Sequence, residues 1–377
     1  MKIASYLAVA ICAVAFTQEA SAQTVVRIVG STAYRTQMNT ALRNLINGTV
    51  GAGYGYVGTN QNSANQAIYK GTVSSQSVIY LTSLAGSTGG IQLVANNTSL
   101  TANFLLPGAT TSVGGTASLA AGTDAQPADC SMADTTQAAT QFTSPTLSAT
   151  KVGVIAFQFV ANKGTSAGLN NMTPQLARAL YSSGTLSMAL FTGVPGDDTT
   201  TVYALGRDFD SGTRSSTFAE MGISNIDPVN QYQVTTSGGA ITAKILWPAY
   251  TLLGLPVVEG NGGYTSGGTL ATVMTNTSPA GEAYIGYMGT ADAATAVTGL
   301  GRALNYNGVP YSLQAVQEGS YAFWNYEYVC YRTTLTGAKK TLADALANRI
   351  KNFDAAIPLT TMRVVRQNDG GVITQDY

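Results

Sequence analysis

The sequence contains no histidine. Without an imidazole no Ser-His-Asp triad can be assembled, so the match of Gly164-Thr165-Ser166-Ala167-Gly168 to a nucleophile-elbow pattern reads as a loop. The same absence, with 3 cysteines in 377 residues, removes the usual zinc sites, and no P-loop with its lysine is present. Charge is scarce: 10% of the residues are charged, against roughly 25% in ordinary domains, and Gly, Thr, Ser, Ala and Tyr take their place. The 19 basic and 19 acidic residues cancel, which gives no electrostatic reason to expect nucleic acid or anionic lipid as a partner. A binder without metal or cofactor becomes the leading class, and an enzyme such as a phosphatase the weakest.

What is present begins with a secretory signal over residues 1–22. Lys2 supplies the positive start, residues 7–16 the apolar stretch and Ala20-Ser21-Ala22 the cleavage site. Ile11 precedes Cys12, where a lipid-anchored signal needs a small residue. No later run of 18 apolar residues suggests a membrane span. The mature chain is therefore expected to be periplasmic or secreted, with room for two domains. Its two cysteines, Cys130 and Cys330, either pair there or stay as buried thiols.

A strand, a polar turn and a helix recur along the chain. Residues 25–29 lead through Gly30-Ser31-Thr32 into a helix with Met38, Ala41, Leu42, Leu45 and Ile46 on one face. Residues 78–81 lead through Gly86-Ser87-Thr88-Gly89-Gly90 into Ile91, Leu93 and Val94. Residues 201–205 lead through Arg207-Asp208-Phe209-Asp210-Ser211-Gly212-Thr213 into a helix with Phe218 and Ala219. The last turn is the most telling, because Ser-Gly-Thr at a helix start offers N–H groups, hydroxyls and the positive end of the dipole to an oxyanion, and Arg207 adds a fixed cation. In αβ folds such turns gather beyond the carboxyl ends of the strands, so the three can face one cleft; read singly, each is an ordinary helix cap.

Residues 152–160 are an apolar run expected of a strand covered on both faces. Thr173 and Pro174 start a helix that ends near Gly184. Further strands are expected at 283–288 and 321–331, a last helix with Leu342, Leu346, Ile350 and Phe353 inward, and a terminal hairpin turn at Asp369-Gly370-Gly371. Residues 96–127 read as a surface insertion, with a hairpin through 104–106. The aromatic run from Tyr321 to Tyr331 reads as core and cleft wall.

The order and spacing of these motifs along nearly the whole mature chain resemble the periplasmic phosphate-binding proteins of phosphate ABC transporters. The motifs that carry the resemblance are Gly30-Ser31-Thr32-Ala33, Gly86-Ser87-Thr88-Gly89-Gly90-Ile91, Arg207 to Thr213, and Ala128-Asp129-Cys130-Ser131-Met132-Ala133-Asp134. The resemblance implies an α/β, two-lobed type II binding-protein fold: lobe I from 23–160 with 316–377, lobe II from 161–315, and a ligand cleft between them. It implies that Thr32 and the Ala33 amide hold one ligand oxygen and Ser87 another. Arg207, Ser211, Gly212 and Thr213 would close from lobe II, with Asp134 accepting a proton from the ligand. Phe209 stands where the family has an aspartate that orients the arginine; Asp208 or Asp210 would take that place. The strands carrying Cys130 and Cys330 would be neighbours, so a disulfide or a thiol contact is expected.

The resemblance implies inorganic phosphate as ligand, an ABC permease as partner and no catalysis. Asp134 adds a chemical argument of its own: a carboxylate repels an anion unless that anion has a hydrogen to give, and hydrogen phosphate has one where sulfate does not. The alternative is a secreted surface or matrix protein that retains the fold and self-associates, with a Gly-, Ser-, Thr- and Tyr-rich exterior in place of charge.

Overall fold

The computed structural model describes residues 23–224 and 227–376, so the expected secretory signal lies outside the described residues. The chain starts with β1 (Thr24–Gly30), α1 (Arg35–Ile46), β2 (Gly53–Tyr56), β3 (Gln66–Val73), β4 (Gln76–Leu84), α2 (Ser87–Ala95) and β5 (Cys130–Ala133). It continues through β6 (Leu147–Ala161), α3 (Pro174–Ser183), β7 (Thr185–Ser187), β8 (Thr201–Ala204), α4 (Gly212–Met221), α5 (Gly267–Met274), β9 (Glu282–Gly289) and α6 (Thr290–Thr298). The last elements are β10 (Trp324–Arg332), α7 (Gly337–Arg349), β11 (Val364–Arg366) and β12 (Ile373–Gln375).

The main sheet runs β2-β3-β4-β1-β5-β10-β6-β9-β8-β7. β1 lies parallel to both β4 and β5, and β8 lies parallel to β9. The helices cover these strands, so Val26, Ile28, Val78 and Leu81 are shut off from water, as a parallel sheet requires. The fold is α/β and two-lobed, and β6 is the strand that crosses between the lobes. It pairs with β10 through residues 147–156 and with β9 through residues 157–161. From Val152 onward every residue of β6 is buried, Gln158 included, which accounts for the nearly continuous apolar run there.

Helix signals are met at α3, where the Thr173 hydroxyl accepts from the Leu176 N–H at 3.2 Å and Gly184 ends the helix at φ +84°. The last helix differs from expectation. Leu342, Leu346 and Ile350 are buried, but a π-turn over Ile350–Asp354 rotates Phe353 outward to 73% exposure. The strand expected at 321–331 starts three residues later, at Trp324, and the Tyr321 hydroxyl donates to the Phe157 carbonyl at 2.7 Å. The aromatic run is core: Tyr321, Phe323 and Trp324 are buried, and Phe323 stacks on Phe159 at 4.9 Å.

The stretch expected as an insertion folds back along β2, with Tyr54 and Ser112 exchanging backbone bonds of 2.9 and 3.3 Å and the Tyr56 N–H reaching Thr116 O at 3.0 Å. It covers an otherwise open sheet edge. Its expected hairpin at 104–106 is absent; Phe104 instead pairs with Asp124.

Cys130 and Cys330 are both buried free thiols, and the strand register explains why they do not pair. Cys130 stands opposite Tyr331, and Cys330 opposite Ser131, so the cysteines project from opposite faces of the sheet. Burial, and then the neighbouring Glu327, push the Cys330 thiol up to about 12. Among the described residues no helix is long and apolar enough to cross a membrane.

Candidate oxyanion site

β1, β4 and β5 run in one direction, so their carboxyl ends share an edge of the sheet. β1 ends at Gly30 with φ +118°, where a Cβ would come within 1.9 Å of the Met132 carbonyl oxygen. Only glycine allows that approach, and the next amide, Ser31 N, donates to Met132 O at 2.9 Å. This clamps the loop carrying Thr32 against β5. β4 feeds α2, which begins at Ser87, and β5 runs straight into Asp134. From the other lobe, β8 leads through Arg207 to α4, whose N-cap is Ser211, its hydroxyl accepting from the Arg214 N–H at 3.2 Å.

The structure brings these segments together. The Ser87 hydroxyl donates to Asp134 Oδ1 and accepts from the Asp134 N–H at 3.1 Å. The Thr213 hydroxyl donates to Asp134 Oδ2 at 2.9 Å, from the opposite lobe. Arg207 Nη2 donates to the Thr32 hydroxyl at 3.2 Å, also across the lobes. A Cβ on Gly212 would fall 2.0 Å from Asp134 Oδ1 and 2.4 Å from Ser87 Cβ, so this glycine is what lets α4 approach the Ser87–Asp134 pair. Ala33 is half-buried beside Thr32, in a position where a Cβ on Gly289 would lie 3.3 Å from its own. Thr32, Ser87, Asp134, Arg207, Ser211 and Thr213 are all buried.

The electrostatics are unusual for so enclosed a place. Arg207, 1% exposed, gives its bonds to neutral oxygens: Nε to Tyr264 O and Nη2 to Thr265 O, each at 3.0 Å, besides Thr32. Its Nη1 is buried and has no partner among the described residues. Asp208 and Asp210, expected to orient this arginine, do not; carbonyls of the 264–265 segment hold it. The two aspartates face each other instead, and burial followed by the Asp210 charge hold the Asp208 carboxyl well above the usual range. Burial likewise raises the Asp134 carboxyl, against the pull of the Ser87 and Thr213 hydroxyls and the Arg207 charge.

Sequence reading missed several members. The Asp134 carbonyl accepts from the Ser216 hydroxyl at 2.5 Å and from Asn325 Nδ2 at 3.2 Å, and Asn325 Nδ2 also reaches the Ser216 hydroxyl at 2.8 Å. Thr88 and Ser215 hydroxyls meet across the lobes at 3.0 Å. Arg35 stands near Arg207 and pairs with Asp292 at 3.7 Å. Glu327 is buried within electrostatic reach of Asp134, with neither carboxylate oxygen bonded among the described residues. Its signal was legible: a single acid inside the apolar run Trp324-Asn325-Tyr326-Glu327-Tyr328-Val329. The others are small polar residues with no distinguishing spacing.

No protein-family model and no curated protein matches the sequence. Solved structures do. One, described as a phosphate ABC transporter substrate-binding protein with bound phosphate from Clostridium perfringens, is 13% identical with a TM-score of 0.53 over 89% of this chain and 100% of that one. An ABC-type phosphate transport receptor from Vibrio cholerae is 13% identical with a TM-score of 0.47 over 86% of this chain and 93% of that one. At such identity the first likeness shows the two-lobed binding-protein fold.

Proposed function

We propose that this protein binds inorganic phosphate, as hydrogen phosphate, between its lobes and performs no chemistry on it. Lobe I in this reading comprises residues 23–160 and 316–377 and lobe II residues 161–315. Arg207, the Thr32 hydroxyl and the Ala33 amide donate to the anion, joined by the N–H groups and hydroxyls at Ser211, Gly212 and Thr213. Ser87, expected to hold a ligand oxygen, gives its hydroxyl to the Asp134 carboxylate instead, and that carboxylate accepts the phosphate proton.

One observation carries the reading: Arg207 is a buried cation that, among the described residues, is bonded only to neutral oxygens, with one nitrogen left over. Taking a lone guanidinium out of water costs several kcal/mol, which an anion at the same place offsets. Asp134 then restricts which anion, since a second negative charge beside it is tolerated only if the guest brings a proton. The first structural relative is described as a phosphate transporter component, in keeping with a periplasmic or extracellular place and an ABC permease as partner.

Calorimetry with phosphate, arsenate and sulfate tests the proposal. Phosphate and arsenate are expected to bind with similar affinity and sulfate far more weakly. No heat with phosphate, or equal binding of sulfate, would remove it.

A further inference from the structure

The β11–β12 hairpin at the carboxyl end touches both walls of the site from behind. Its turn presents Asp369, whose Oδ2 accepts from the Thr135 hydroxyl at 2.6 Å and from the Thr136 N–H at 2.9 Å. These residues directly follow Asp134 in lobe I. The next residue, Gly370, has φ +64° and lies so close to α4 that a Cβ would come within 2.2 Å of the Ala219 carbonyl oxygen. Arg366, 3% exposed, donates through Nη1 to Glu220 Oε2 at 3.1 Å, also on α4. The same guanidinium reaches Trp324 O at 2.6 Å and Ala322 O at 2.8 Å, on the segment entering β10. Glu220 accepts a further bond from the Tyr306 hydroxyl at 3.2 Å.

α4 is the helix whose first turn carries Gly212 and Thr213, and its last turn carries Ala219 and Glu220. The hairpin therefore grips the far end of the lobe II helix and the loop beyond the lobe I carboxylate at once. We propose that the β11–β12 hairpin is a strap holding the two walls in their closed relation, with Asp369 and Arg366 as positioning residues of the anion site. Opening the lobes separates Thr135 from α4, so it must break either the Asp369 contacts or the packing of Gly370 and Arg366 on that helix. Closure is thereby favoured before any anion arrives, and an anion leaves slowly because release requires the strap to part. The effect on release rests on the phosphate reading, whereas the effect on lobe closure does not.

Asp369→Ala in the full chain frees the lobe I end of the strap, and Thr135→Val removes one of the same bonds from the other side. Small-angle scattering without anion is expected to give a larger radius of gyration for each variant than for the parent. Saturating phosphate returns it to the parent value. Stopped-flow release of phosphate is expected to quicken about tenfold in Asp369→Ala, or ~1.4 kcal/mol. A merely structural role for the hairpin would lower the thermal midpoint and leave both readings where they were. Unchanged radii in both anion-free variants overturn the strap. If the parent fails to bind phosphate at all, the functional reading falls and the scattering comparison still decides this one.

Discussion

Lobe II holds its side of the cleft with its own atoms: Arg207 is fixed by Tyr264 O and Thr265 O, and Ser211 caps α4 within its own turn. Lobe I draws part of its side from across the cleft, because Asp134 Oδ2 is met by Thr213, while the Asp134 carbonyl has Asn325 of its own lobe besides Ser216. One wall presents donors already in place, and the other an acceptor finished by closure. On the proposed function, this division assigns strength of anion capture to lobe II and choice of anion to lobe I. A donor wall attracts any oxyanion, whereas an acceptor assembled on closure admits one that supplies a hydrogen.

The sharpest way to break this division is Arg207→Ala. With the buried cation gone, phosphate and sulfate binding are both expected to fall by about thirtyfold or more, in line with the ~2–5 kcal/mol typical of losing one member of a buried charged contact. The ratio between the anions should stay near that of the parent. Calorimetry that shows a changed ratio with modest loss would reverse the roles of the walls.

Asp134→Asn comes next. Losing a charged acceptor is worth ~1.5–3 kcal/mol, so phosphate should weaken roughly ten- to hundredfold while sulfate improves, and the ratio collapses. Acidity should imitate the substitution in the parent. The Asp134 carboxyl is held above the ordinary range by burial, so lowering the pH through that raised value converts it from acceptor to donor. Sulfate affinity should then rise with falling pH in the parent and stay level in Asp134→Asn. A parallel rise in both would place the titrating group elsewhere.

Ser87→Ala and Thr213→Val remove one hydroxyl each from Asp134, one from each lobe. Either should weaken phosphate by up to about tenfold, the ~0.5–1.5 kcal/mol of a single hydrogen bond. Because the Thr213 bond forms only on closure, Thr213→Val should quicken release more than Ser87→Ala does. Equal release rates would show that closure does not complete the lobe I wall.

The parts of this site legible in the sequence were those fixed by local chemistry. Gly30, Ser87 and the Arg207 to Thr213 turn follow strand ends, and a helix start after a strand end is written in neighbouring residues. Which surface each turn faces depends on sheet order, which periodicity does not record; the single cleft was supplied by the resemblance of motifs. Asp208 and Asp210 show the limit: both sit beside Arg207 in the chain, yet the carbonyls that hold the guanidinium come from residues 264 and 265. The cysteines show another. Neighbouring strands were anticipated, but a register difference of one residue turned the thiols to opposite faces, and no spacing in the sequence records that step. Phe353 failed for a similar reason, since a single π-turn moved it off the apolar stripe.

Glu327 offers the smallest effect on binding, and it tests whether the cost of the lobe I wall is electrostatic. The residue is buried, neither oxygen is bonded, and burial followed by the charge of Asp134 holds its carboxyl well above the usual glutamate range. The groups around it that titrate are Asp134 at the end of β5, Tyr34 at the start of α1, and Tyr328 and Cys330 on its own strand. A folded-state value above the unfolded one means that the native protein binds this proton more tightly. Its contribution is full below about pH 4.3, the ordinary value of an exposed glutamate, and is lost as the pH rises through the raised value. Across that window the slope approaches ~1.4 kcal/mol per pH unit. Glu327→Gln has no proton to lose, so its thermal midpoint, measured without phosphate from pH 4 to 9, should decline less than that of the parent. Asp208 contributes a slope of the same sign to both proteins, which is why the difference between them is the quantity to follow. Burial and the charge of Asp134 both disfavour the ionised carboxylate, so phosphate affinity at neutral pH should change by no more than about twofold, well under the ~1.4 kcal/mol of a tenfold step. A gain in affinity approaching that from relieving a full negative charge would mean that Glu327 is ionised, and that lobe I bears two charges where the present account gives it one.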